Sequence, residues 1–309
     1  MRSPVFDKAL ILTGPTGSGK SALALQIAPR LNAEIVALDS MTLYRGMDIG
    51  TAKPTAAERA VVRHHLLDVL DPWESASVAW WLQQAEACVA DIESRGKRAL
   101  FVGGTALYLK ALLYGLFTGP PADDHLRCQL EQQAREQGNA FLHQRLQRVD
   151  PVSAARLHVN DLRRIIRALE VYELTGRPIS QLQTQWRQDE SGRDFKTADG
   201  WPRCLCLNLP REELYRRINA RVEKMLAAGL VEEVQRLRRA SRPLSREASQ
   251  ALGYKELFAY LDGQGTLEQA CLAIQTRSRH FAKRQLTWFR QLPACRLIAP
   301  EEVALLWPV

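Results

Sequence analysis

Short apolar runs alternate with stretches of helical periodicity through the first 118 residues. ALILTG, EIVALDS and RALFVGG read as strands, with one helix starting at Lys20 and another near residues 78–92. Strands interleaved with helices predict βαβ units and a parallel sheet. In the second helix Trp81, Ala85, Cys88 and Ile92 recur at helical spacing, so the paired tryptophans Trp80 and Trp81 read as core. GLFTGPPADD then breaks the pattern with clustered Gly, Pro and Asp, marking a boundary.

From about Asp123 to Leu182 the pattern is helical throughout. Leu126, Leu130, Leu142, Leu146, Ile165, Leu169 and Leu174 are the expected core positions, and Gly176-Arg177-Pro178 is a stop. Residues 187–202 are polar and turn-rich and read as a mobile linker. CLCLNL returns as a strand, and a long helix follows from Glu212, because Leu214, Ile218, Val222, Met225 and Leu226 repeat at threes and fours. The expected organisation is a core built from residues 1–118 and 200–309, interrupted by a helical insertion over residues 119–199.

Composition adds limits. With 46% hydrophobic and 25% charged residues the 309-residue chain has the make-up of a globular protein, and no segment approaches the roughly 18 uninterrupted apolar residues of a membrane span. The first residues, MRSPVFDKALILTG, do not resemble a signal peptide, so a cytoplasmic, membrane-free protein is expected, with monomer the default. The six cysteines form neither a C-x-x-C pair nor a zinc-finger spacing, and read as buried reduced thiols. The net charge of +8 is concentrated in residues 211–290, where 16 Lys+Arg face 9 Asp+Glu. Such a region suits a polyanionic partner such as nucleic acid, or the solvated face of long helices.

Gly14-Pro15-Thr16-Gly17-Ser18-Gly19-Lys20-Ser21 satisfies G-x-x-x-x-G-K-[ST] between a strand and a helix, the context that motif requires. Backbone N–H groups would surround phosphate oxygens, Lys20 would neutralise terminal phosphate charge, and Ser21 would offer an oxygen to Mg²⁺. The fold class is therefore α/β, a P-loop NTPase-like parallel sheet flanked by helices with an all-helical insertion. P-loop kinases and NTPases usually hold Mg²⁺ with an Asp that ends a second strand. EIVAL ends in Asp39-Ser40, whereas ALFV ends in Gly103-Gly104-Thr105, so only Asp39 is available. On spacing alone Asp39 serves equally as indirect metal ligand or as catalytic base.

Taken together, GPTGSGKS, DSMTLYRGMDIGTAKP, HHLLD, GGTALYLKALLYG, HVNDLRRIIRALEVYELTG, RINARVEKMLAAGLVEEV, ALGYKE and TRSRHFAKRQLTWFR resemble the tRNA dimethylallyltransferases, in the family's order and over almost the whole chain. The resemblance implies transfer of a dimethylallyl group from dimethylallyl diphosphate to the exocyclic amine of the adenosine just 3′ of the anticodon, with Mg²⁺ as cofactor and the tRNA anticodon stem-loop as partner. An aromatic amine is a poor nucleophile, so a carboxylate that takes its proton and cations that stabilise departing diphosphate both fit this chemistry. The adenine must also leave its stack to reach that carboxylate.

By the same resemblance Asp39 is the general base, Thr105 contacts the target nucleotide, and Arg221 grips the diphosphate with Thr16, Ser18, Gly19, Lys20 and Ser21. The tRNA contacts would be Asp39, Ser40, Met41, Thr42, Thr105, Arg127, Arg163, Arg164, Arg167, Gln250, Gly253, Tyr254, Lys255, Arg279, Lys283, Arg284 and Gln285. Such Lys/Arg faces supply salt-dependent phosphate contacts and little sequence reading. From the residues alone Thr105 is equally a helix cap, the arginines equally solvated or ion-paired, and His64, His65 and His158 structural. Many members carry Gln where Thr42 stands here, and some carry Arg at position 250. The chain also ends without the C-terminal Cys₂His₂ finger frequent in eukaryotic members, as expected of the shorter bacterial form. Two other classes are a nucleotide or nucleoside kinase and a non-catalytic RNA-binding protein.

Overall fold

The computed structural model describes residues 4–117, 119–183 and 195–308. Two compact units divide the chain, one formed by residues 2–113 and 194–309 and the other by residues 114–193.

The first unit is built on six strands: β1 (Leu10–Thr13), β2 (Ala33–Ala37), β3 (His64–His65), β4 (Arg98–Gly103), β5 (Cys204–Leu207) and β6 (Cys295–Ile298). They lie in the order β3-β2-β4-β1-β5-β6 with every pair parallel. A parallel sheet is covered on both faces, so its strands read as continuous apolar runs. Leu10, Leu12, Leu100, Val102, Leu205 and Leu207 pack on one face with Ala24 and Ile27 of the helix Lys20–Ile27. On the other face Phe101 meets Phe6 and Trp81 edge-on, and Trp81 of the helix Val78–Ser94 stacks on Tyr108 at 4.4 Å. Trp81 is thus core, as its spacing predicts, and its indole N–H donates to the Ala37 carbonyl at 3.2 Å, whereas Trp80, also expected in the core, is only half-buried. In that helix the buried stripe runs through Val89, leaving Cys88 half-buried.

The short strands β3 and β6 add to the four visible in the sequence. His65 Nε2 meets the Glu34 carboxylate at 2.7 Å, together with Arg95 and Lys97. These partners hold Glu34 down at about 2, against the opposing pull of its burial, which is the largest single influence. His65 is thus held in an ion-pair cluster, while His64 Nδ1 lies 2.7 Å from the Val62 carbonyl oxygen. Of the six cysteines only Cys204, Cys206 and Cys295 are buried; Cys128 is exposed, so the reading of all six as buried thiols is corrected.

The second unit packs the helices Asp124–Gln137, Asn139–Val149 and Leu162–Thr175 around Leu130, Leu142, Leu146, Ile165, Ile166 and Leu169. Leu174, expected in this core, is 43% exposed. At 100° per residue it lies about 180° around the helix from Ile165, on the opposite side. Glu170, fully buried, is the polar centre of the unit: Arg127 Nε and Nη2 donate to its two oxygens at 2.8 and 3.0 Å, Arg167 Nη1 donates at 2.5 Å, and the Asp123 amide at 2.8 Å.

Residues 187–194 of the expected linker lie outside the described residues. Residues 195–202 are part of the fold of the first unit. Lys196 and Pro202 form an antiparallel bridge, Thr197 is buried, and the Arg98 guanidinium lies 4.9 Å from the Trp201 ring centre.

Candidate active site

In open parallel sheets, ligands bind beyond the carboxyl ends of the strands. Lys20, Ser21, Asp39, Thr105 and Arg221 line cavities there. β1 runs into the phosphate loop, which opens the helix Lys20–Ile27. The neighbouring β4 ends in Gly103 with no acidic side chain, so the position where a P-loop kinase usually keeps its metal-binding Asp is empty of carboxylate. Asp39 instead arrives from β2, one strand further out, by passing close over the end of β4.

Glycine makes that approach possible. A Cβ on Gly103 would lie 2.1 Å from the Leu38 carbonyl oxygen. Leu38 N–H donates to Val102 O at 2.9 Å and Thr105 N–H donates to Leu38 O at 3.2 Å, binding the Asp39 segment to the β4 turn. Thr105 Oγ1 accepts from the Ser40 amide at 3.1 Å, and Asp39 Oδ1 accepts from the Met41 amide at 2.8 Å. Thr105 thus fixes the loop that carries Asp39.

A cavity of about 480 Å³ is lined by Thr16, Gly17, Gly19, Lys20, Ser21, Asp39, Thr42 and Arg221, with Ile35, Ala37, Ile49 and Met225 among its apolar walls. Gly14, Pro15 and Ser18 do not line it: Pro15 O accepts from Lys20 Nζ at 3.1 Å, and the buried Ser18 hydroxyl lies against Gly14 without a hydrogen-bond partner among the described residues. Lys20 and Arg221 are half-buried, and no carboxylate forms an ion pair with either among the described residues. Burial, reinforced by the Arg221 charge, lowers Lys20 to about 8, while Asp39 and Cys206 pull the other way. Burial likewise lowers Arg221, and Asp39 opposes it. Two desolvated cations against one carboxylate make a site that favours an added anion.

A second cavity of about 700 Å³ shares Thr16, Asp39 and Arg221 with the first. Ser40, Met41, Thr105, Gln250, Gly253, Tyr254, Lys255 and Arg284 line it, bringing together most of the expected nucleotide contacts of this unit. Thr42 is on the other side: it is buried, and its hydroxyl donates to Asp39 O at 3.4 Å. The remaining residues divide by exposure. Lys283 and Arg284 are exposed and border a third cavity with His280, Thr287 and Trp288. Arg279 donates to Asn219 Oδ1 at 2.6 Å and lies over Tyr215. Arg163 and Arg164 are exposed on their helix, Arg164 paired with Asp161, while Arg127 and Arg167 are engaged with Glu170. Gln285 is buried at the edge of the first cavity, with both amide atoms bonded internally.

One supporting group escaped the sequence reading. Glu233, buried on the helix Leu230–Arg238, accepts from the amides of Asp48, Ile49 and Gly50 at 2.9, 2.9 and 3.1 Å and from the Tyr254 hydroxyl at 2.7 Å. It joins the DIGTAKP and ALGYKE segments, and nothing in the spacing of an acidic residue on an amphipathic helix announces that. Phe281 and Met225, which line both cavities, were also missed, although each lies four residues from a named one (Gln285 and Arg221) and so on the same helix face.

The chain is similar to known proteins over most of its length. The family described as IPP transferase matches residues 42–292, and that described as isopentenyl transferase matches residues 7–70. A tRNA dimethylallyltransferase of Geobacter metallireducens is 50% identical over 94% of this chain and 92% of its own, and one from Rhodopirellula baltica is 44% identical over 95% and 88%. The crystal structure of a tRNA isopentenylpyrophosphate transferase from Bacillus halodurans superposes with TM-score 0.66 at 39% identity, covering 95% of this chain and 90% of that one. A eukaryotic dimethylallyltransferase acting on tRNA gives TM-score 0.75 at 28% identity, covering 95% and 74%. With a parallel sheet, a phosphate loop and a carboxylate brought beside it from β2, the chain belongs to the family of the tRNA dimethylallyltransferases.

Proposed function

We propose that this enzyme transfers the dimethylallyl group of dimethylallyl diphosphate to the N6 amine of the adenosine immediately 3′ of the anticodon in tRNA, releasing diphosphate. The observation that carries the reading is the pair of desolvated cations, Lys20 and Arg221, in a cavity that also holds the Asp39 carboxylate and has apolar walls. A diphosphate ester with a short hydrocarbon tail matches that combination.

In the reaction the bond from C1 of the dimethylallyl group to the diphosphate oxygen breaks, its electron pair leaving with diphosphate. A bond forms between N6 and C1, and the N6 proton passes to Asp39. Lys20, Arg221 and the loop amides stabilise the charge on the leaving group. Thr105 holds the Asp39 loop in place, and the second cavity admits the unstacked adenine. Lys283, Arg284 and Arg279 of the first unit are charges through which RNA phosphates are held; in the helical unit Arg163 and Arg164 are exposed charges of the same kind.

Mg²⁺ fits the residues present. Ser21 and Asp39 line one cavity, and among the described residues no group of three or more His, Cys, Asp or Glu could hold a metal ion. A small cation that keeps its waters and takes most of its ligands from substrate phosphate needs no more protein ligands than that. Bound at Ser21, it would supply neutralising charge to the diphosphate.

The test is incubation with dimethylallyl diphosphate, Mg²⁺ and an anticodon stem-loop whose target adenosine is flanked by adenosines. One adenosine should gain the mass of a dimethylallyl group, and Asp39→Asn should lower turnover by about 10²- to 10⁴-fold with stem-loop binding kept. Folded protein that adds no mass, or D39N with unchanged turnover, would refute the assignment or the role of Asp39 respectively.

A further inference from the structure

We propose that Gln285 is a positioning residue that sets the phosphate-binding loop for the donor diphosphate, acting through the Thr16 amide and the end of β4. This rests on the donor reading above and goes beyond it by assigning the loop's geometry to a side chain 269 residues away in sequence.

Gln285 lies on the helix Leu267–Arg290 and is 5% exposed. Its Oε1 accepts from Thr16 N–H at 2.9 Å, and its Nε2 donates to Gly104 O at 2.7 Å. The two partners have opposite demands, one a donor and one an acceptor, so only one orientation of the amide satisfies both. Space enforces the same pairing. A Cβ on Gly104 would come within 2.5 Å of Gln285 Nε2 and 3.0 Å of Gly14 O, so the loop, the β4 turn and the helix meet with no room for a side chain.

Thr16 lines both cavities, and its position decides where the loop's remaining amides point. The Thr16 amide is partly buried, and a backbone N–H that loses its partner there carries a cost, so removing Gln285 favours a rearrangement of Thr16 and the loop. Lys283 and Arg284, on the exposed side of the same helix, keep their place. Loss of the Gln285 amide should therefore weaken donor binding and leave RNA binding intact, the reverse of what a direct RNA contact by this residue would give.

The experiment compares wild type with Gln285→Leu, which keeps the bulk and loses both hydrogen bonds, and Gln285→Glu, which keeps the acceptor for Thr16 and opposes Gly104 O. In Q285L the KM for dimethylallyl diphosphate and the Kd for inorganic diphosphate with Mg²⁺ should rise about 10- to 100-fold and kcat should fall as the loop amides lose their aim at the leaving group, with the stem-loop Kd within about threefold of wild type. Q285E should fall between. Hydrogen exchange at the Thr16 amide, which requires no ligand, should accelerate in Q285L. Gly104→Ala should reproduce the Q285L effect, and the double variant should add little to either single one.

Weakened stem-loop binding with donor KM and Thr16 exchange unchanged would overturn the proposal in favour of RNA contact. A parallel fall in kcat and both affinities would reduce Gln285 to a packing residue. Wild type that fails to bind diphosphate would overturn the donor reading itself and with it this role, a failure distinguished from loss of the Thr16 contact by the exchange comparison.

Discussion

The charge state of Lys20 gives a sharp prediction for diphosphate binding. The amine is lowered from its ordinary 10.5 to about 8 by burial first and Arg221 second, a difference that corresponds to about 3 kcal/mol against the charged form. An anion at the loop favours the charged form and reverses that shift. The folded, ligand-free protein then binds fewer protons than the unfolded chain between about pH 8 and 10.5, so in that window its stability gains with rising pH. Binding has the opposite dependence. At pH 9 only about a tenth of ligand-free molecules carry the Lys20 proton, so diphosphate binding should take up about 0.9 proton there and about 0.1 at pH 7. Affinity should fall about tenfold per pH unit above 8. Isothermal titration of inorganic diphosphate in two buffers of different ionisation heat measures the uptake. Lys20→Arg is the control, because a guanidinium stays charged throughout and the titration of diphosphate itself is common to both proteins. Equal proton uptake by wild type and K20R at pH 9 would refute the reasoning.

Three further outcomes are expected. Gly103→Ala forces a methyl group against the Leu38 carbonyl and should cost about 3 kcal/mol in urea unfolding, with turnover falling further than stability because Asp39 is displaced; an unchanged kcat would disprove that route to the site. Glu233→Gln removes the charge that three amides and the Tyr254 hydroxyl share, and should destabilise by about 2 to 4 kcal/mol, against about 1 kcal/mol for Tyr254→Phe; equal losses would argue against Glu233 as the organiser. Lys283→Ala and Arg284→Ala should each lower the slope of log affinity for the stem-loop against log salt by about 0.7, whereas Arg127→Ala, which strips a partner from buried Glu170, should show its main effect in thermal stability.

The elements that could be read in advance are those whose signal is local. The phosphate loop is contiguous, and the apolar runs that form β1, β2, β4 and β5 are continuous because both sheet faces are covered. Leu174 shows the limit of even a local signal: it kept a plausible spacing from its neighbours but lay half a turn away from Ile165. β3, with two residues, is too short to leave a pattern. The basic residues are harder still, because Arg127 and Arg284 look alike in sequence while one is tied to Glu170 and the other is exposed.

By itself, then, the sequence determined the α/β class, the phosphate loop and the family, since these depend on residue types at short, fixed spacings. It also named Asp39, but left open whether that carboxylate serves a metal or the substrate. Only the tertiary structure decided that Asp39 crosses the end of β4 to reach the loop, that Lys20 and Arg221 stand desolvated beside it, and that Gln285 faces the loop amide. Those facts depend on which backbones pass close enough to exclude a Cβ and which charges lose their water. Both are consequences of packing between segments distant in the chain, and no local spacing records them.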